Sequence, residues 1–107
     1  MVLKYMYNEQ VCSVIDVDYE RKTIHVTNFV KDSLMRAFGK NENPSWEDFQ
    51  FFLERRCIPK TRDKLKWHLK ELGVDFYDPL TIILKTQGRM SEDHFWIDVE
   101  DFDKKNK

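Results

Sequence analysis

Residues 11–28 read VCSVIDVDYERKTIHVTN, and this stretch decides the fold. Val11, Ile15 and Val17 share one parity. Ile24 and Val26 alternate with Thr23, His25 and Thr27. Alternation at period two among β-branched residues is the pattern of a half-buried strand. Asp18-Tyr19-Glu20-Arg21 is a short polar link, so Val11–Val17 and Lys22–Asn28 are expected to pair as an antiparallel hairpin. Polar Ser13, Asp16, His25 and Thr27 place one face of that sheet in water.

Outward from the hairpin, Leu3, Tyr5 and Tyr7 alternate with Lys4 and Met6 as a preceding strand. Phe95, Ile97 and Val99 alternate with Trp96 and Asp98 as a final one. Helix lies between. Leu34, Met35 and Phe38 have helical spacing, with Gly39 as a stop, and Lys40–Pro44 reads as a loop. Ser45 caps a helix whose first turn carries Glu47 and Asp48 and whose buried stripe is Trp46, Phe49, Phe52 and Leu53. Pro59 breaks the chain. Thr61 is expected to cap a second helix that runs to Leu72, with Gly73 as its left-handed terminus. Asp78-Pro79 opens a short third helix that buries Ile82, Ile83 and Leu84 and ends at Gly88. The fold class is α+β: a small, mainly antiparallel sheet, with about three helices packed on one face.

The 107 residues make a single domain, 1–107, with a polar tail over 101–107 expected to fray. The 41% hydrophobic and 14% aromatic content supports a packed core and excludes a disordered chain. No apolar run approaches the ~20 residues of a membrane span, and the N-terminus lacks the parts of a signal peptide. A cytoplasmic protein is expected. Cys12 and Cys57 are isolated, and two buried thiols are favoured over a disulfide between them.

Charge is sorted along the chain although the total is only −1. Between Arg55 and Lys70 lie seven basic residues and one acid; between Glu92 and Asp103 lie six acids and no lysine or arginine. Arg55, Arg56, Lys60, Arg62, Lys64 and Lys70 form, with Trp67, the candidate partner-binding set. At 100° per residue Leu65, Leu69 and Leu72 share the buried face of the second helix, and Trp67 falls nearly opposite, among Lys64, Lys70, Asp63 and Glu71. Two readings of Trp67 stand: a stacking platform or interface anchor, or a ring packed beneath the N-terminal segment or the third helix. Arg55, Arg62, Asp78, Arg89 and Asp93 could instead pair with one another and fix the helix angles.

No catalytic, cofactor or metal residue is assigned. His25, His68 and His94 stand on distant elements. The three glycines form no phosphate loop, and no nucleophile elbow is present. Asp16 with Asp18, or Asp98 with Glu100, would be the magnesium pair of a metal-dependent ribonuclease, the least favoured alternative.

The block Pro44-Ser45-Trp46-Glu47-Asp48-Phe49, then Phe52 to Pro59 with Thr61-Arg62, continues through Leu72-Gly73, Tyr77-Asp78-Pro79-Leu80, Gly88-Arg89-Met90 and Phe95-Trp96-Ile97. Over roughly residues 34–97 it resembles small proteins of Gram-positive bacteria and their mobile elements, phages included. More loosely, it is similar to segments that accompany HipA-like kinases. The first resemblance implies a non-enzymatic inhibitor of host defence, of anti-CRISPR type, that binds an RNA-guided nuclease or its guide RNA. The second implies a regulatory partner or recognition module of such a kinase in a toxin–antitoxin setting. Neither carries over a residue-level site.

Overall fold

The structure, a computed structural model, describes residues 1–100; the tail 101–107, with Asp101 and Asp103, lies outside them. Four strands, β1 (Val2–Tyr7), β2 (Gln10–Asp18), β3 (Thr23–Asn28) and β4 (Phe95–Glu100), form one antiparallel sheet in the order β3-β2-β1-β4. A 3-10 turn at Ser33–Met35 and three helices, α1 (Trp46–Arg55), α2 (Leu65–Leu72) and α3 (Pro79–Thr86), fill the crossover between β3 and β4. The architecture is the expected α+β sheet, and the hairpin pairs as expected, with Ile15 opposite Val26 and Val17 opposite Ile24.

One irregularity changes which side chains face the core. Tyr5 lies opposite Ser13, but Met6 lies opposite Val11, so Cys12 is an extra residue in β2. The bulge reverses parity along the strand. Ser13, expected on the wet face, is fully buried with Cys12. Its hydroxyl donates to Asn28 Oδ1 at 2.7 Å and accepts the Ala37 amide at 3.1 Å. A buried hydroxyl without such partners would be costly; with them, it ties the segment after β3 back onto β2.

The main core lies between one sheet face and α1 with α3, built on Leu3, Tyr5, Ile15, Phe49, Leu53 and Ile83. Helix α1 forms where the sequence places it. Ser45 Oγ accepts the Asp48 amide at 3.1 Å, and the Asp48 carboxylate accepts the Ser45 amide at 2.8 Å, a complete capping box. Phe49, Phe52 and Leu53 are buried; Trp46 packs at the margin, edge-on to Tyr19. Helix α3 starts with Pro79 at its first position and buries Ile82 and Ile83, whereas Leu84, expected inside, is exposed. Leu84 follows two buried isoleucines on a stripe only wide enough for them.

Helix α2 does not lie on the sheet. Leu69 joins Cys57 and Ile82 in a satellite cluster flanked by Leu65, Leu72, Val74 and Tyr77. It is therefore an outer layer, packed on α3, with its far side open. Gly73 ends it in the left-handed conformation, φ 77°, as expected. Its start differs from expectation. Thr61 does not cap it; Arg62 N–H closes a turn on Pro59 O at 2.9 Å, and the helix begins only at Leu65. The segment between Phe29 and Phe38 is shorter in helix than its spacing implied: a single 3-10 turn that leaves Leu34 in solvent.

Candidate partner-binding site

The seven residues singled out from the sequence fall into three environments. Arg56 is 8% exposed. Its Nη1 and Nη2 donate to the two Asp93 carboxylate oxygens at 3.0 and 3.1 Å. Its Nε and Nη2 converge on Gly88 O at 3.1 and 2.8 Å, and Nη2 also reaches Phe95 O at 2.9 Å. All three nitrogens are engaged within the chain, and at this burial the side chain is not a surface contact. Arg56 is an internal pin joining the end of α1, the turn after α3 and the start of β4. The Arg56 guanidinium, followed by the Phe95 amide, holds the Asp93 carboxyl below the usual carboxylate range. Gly88 belongs to this pin: a Cβ there would lie 3.1 Å from Ile97 Cδ1, and φ is +62°.

The charge pairing expected among Arg55, Arg62, Asp78, Arg89 and Asp93 thus runs through Arg56 instead. Arg89 stacks 4.6 Å over the Trp96 ring. Asp78 accepts from the Thr81 hydroxyl. Arg55 and Arg62 make no ion pair among the described residues.

Lys60, Arg62, Lys64, Trp67 and Lys70 form the second environment, the open side of α2 and its approach. All five are exposed, as is Lys66. Trp67 is 56% exposed, held edge-on against His68 with ring centroids 5.1 Å apart. It packs beneath neither the N-terminal segment nor α3. Lys60 Nζ stands 5.9 Å from the centroid of the Tyr77 ring. The Tyr77 hydroxyl donates to Ile58 O at 2.8 Å, and burial pushes its pKa up to about 12. The approach to α2 is therefore anchored from below while its charges point outward. Lys64 sits at the helix start with φ 57°, a conformation unusual for a side chain this long.

Arg55 belongs to a third environment, a cleft of about 590 Å³ between the 3-10 turn and the C-terminal half of α1. Leu34, 87% exposed, and Phe51, 61% exposed, stand on its lining with Phe38, Met90, Arg36 and Arg55. Sequence reasoning did not single out Phe51. The available signal was its position off the stripe of Phe49, Phe52 and Leu53, which leaves a phenylalanine on the solvent side of an otherwise amphipathic helix.

The carboxylate pairs considered for magnesium lie on the open sheet face. Asp16 and Glu100 are both register partners of Val2, Asp98 is opposite Lys4, and Lys4 Nζ pairs with Glu100 at 2.9 Å. Among the described residues no three His, Cys, Asp or Glu side chains converge as a metal site. Cys12 and Cys57 are free and buried, and burial raises both thiol pKa values. No described helix is long and apolar enough to cross a membrane. No family model, curated protein or solved structure matches the chain.

Proposed function

We propose that this chain is a binding protein rather than an enzyme, and that the outer face of α2 is its contact with RNA. The carrying observation is the exposed Trp67 indole on the same outer helix as exposed Lys64, Lys66 and Lys70. An indole in that setting offers a stacking surface worth about 1–3 kcal/mol per base. The lysines meet backbone phosphates and release counterions. In the mobile-element setting that the resemblance implies, the RNA is the guide of an RNA-guided nuclease, and the protein acts as its inhibitor.

A titration with single-stranded RNA, read by Trp fluorescence, tests this. Native protein is expected to bind with quenching that Trp67→Phe removes. Reversal of Lys64→Glu with Lys70→Glu is expected to abolish binding while circular dichroism stays unchanged. Undiminished affinity in the reversed variant overturns the assignment.

The cleft favours a second reading, a protein partner such as a HipA-like kinase. Leu34 and Phe51 are large apolar side chains beside Arg55, which makes no ion pair among the described residues, the composition of an interface anchor. On that reading Phe51→Ala, and not the lysine reversals, is the variant that loses the partner.

A further inference from the structure

The two edges of the sheet are treated differently by the rest of the chain. At the start of β4 the outward groups are occupied: Phe95 N–H donates to Asp93 Oδ1 at 3.0 Å, Phe95 O accepts from Arg56 at 2.9 Å and Ile97 N–H donates to Gln87 O at 2.7 Å. At β3 none is. Phe29 N–H donates to Cys12 O at 2.9 Å, while Asn28 and Ser13 are register partners. That bond fixes the ladder's alternation: Asn28–Ser13 is a non-hydrogen-bonded pair, and Thr27, His25 and Thr23 face inward to β2. The backbone N–H and C=O groups of Ile24, Val26 and Asn28 therefore point away from the sheet. Among the described residues, nothing in the chain accepts from or donates to them.

The usual protections of a sheet edge are proline, a bulge, or lysine within the strand. From Thr23 to Asn28 there is no proline, lysine, arginine, aspartate or glutamate, and the bulge lies on the other side of β2. None of the six residues is fully buried, with Ile24, Val26 and Asn28 only half-covered on the helix side. Phe29, at the strand's end, is 60% exposed.

We propose that β3 pairs antiparallel with β3 of a second copy of this chain, extending the sheet through both. The strand is self-complementary. In the register centred on Val26, Ile24 meets Asn28 of the second copy, Val26 meets its counterpart, and Thr23 meets Phe29. The outward donors and acceptors of each edge then satisfy the other, no like charges oppose one another within the strand, and the half-covered Val26 side chains close over each other. A contact of this length belongs with small, reversible interfaces, so the dimer forms with rising concentration rather than as an obligate unit. This inference is independent of the RNA reading, because α2 lies on the outer helical layer and not on this edge.

Sedimentation across a concentration series, with amide hydrogen exchange on the same samples, provides the test. The mass is expected to rise toward twice that of the monomer, with exchange at Ile24 and Val26 slowing in step. The double variant His25→Lys, Thr27→Lys keeps every backbone bond and sets like charges opposite each other across the seam. It is expected to remain monomeric, with the thermal midpoint of the dilute, monomeric native protein at every concentration. A monomer at every concentration overturns the proposal. So does a dimer in which the Ile24 and Val26 amides exchange at the monomer rate, as pairing through another surface would give.

Discussion

Arg56 is the side chain on which three segments distant in sequence converge, and its removal strands several groups at once. Arg56→Met leaves Gly88 O and Phe95 O without a donor and Asp93 without its cation. Asp93 is a third exposed and can be rehydrated, so the cost lies mainly in the stranded carbonyls, about 1–3 kcal/mol each, which in a domain of this size lowers Tm by roughly 10 °C. The sign of the pH effect follows from Asp93. Its folded pKa is depressed from the ordinary 3.8, so its contribution is complete above that value and is lost as pH falls through the depressed one. Asp48, whose carboxylate accepts the Ser45 amide, is depressed as well and adds to the same acid limb. The difference between native and variant isolates Asp93: Arg56→Met is expected to flatten the loss of stability below about pH 3.8. Urea titrations at a series of acid pH values measure it, and parallel acid limbs would show that the pair is not coupled to folding.

At the scale of elements, the caps separate what was legible from what was not. Ser45 could be read because its partner Asp48 sits at the required third position of a strongly patterned helix. Ser45→Ala is expected to cost about 1 kcal/mol, seen as a lower urea midpoint with an unchanged slope; a changed slope would mean that more than the cap was lost. Thr61 looked equally suitable, but the turn closed by Arg62 on Pro59 uses up the approach, and the helix starts only at Leu65. The hairpin, β4, the Pro79 start and the Gly73 stop all rest on local chemistry and were legible. The bulge at Cys12 was not, since a single inserted residue leaves no mark on composition while reversing which neighbours are buried. Arg56 and Arg55 are adjacent and alike in sequence. Only the long-range meeting of α1 with Gly88 and Asp93 makes one a buried pin and leaves the other beside the cleft. Trp67 was ambiguous for the same kind of reason: its exposure depends on α2 being an outer layer, a matter of helix order that no periodicity encodes.

For the whole molecule, a total charge of −1 gives no net attraction toward a polyanion, so any RNA affinity must come from how charge is distributed. The layers separate it. Exposed Lys60, Arg62, Lys64, Lys66 and Lys70 belong to the outer helical layer, while Asp16 and Asp98 lie on the open sheet face at the other side of the core. On the proposed reading RNA approaches the α2 face, where exposed Asp63 and Glu71 stand among the cations, and the number of phosphates engaged is limited to the cations there. If all five contact single-stranded RNA, log K falls with log salt at a slope of about −3.5, since each phosphate contributes about −0.7. Neutralising rather than reversing two of them, Lys64→Gln with Lys70→Gln, leaves three cations and is expected to cut that slope to about −2 while weakening binding. Trp67→Ala, by contrast, removes stacking without removing charge, so it is expected to weaken binding at every salt concentration while leaving the slope unchanged. Fluorescence anisotropy with labelled RNA over a salt series distinguishes the two effects. A native slope near zero would remove the polyanion from the α2 face and direct attention to the cleft beside Phe51.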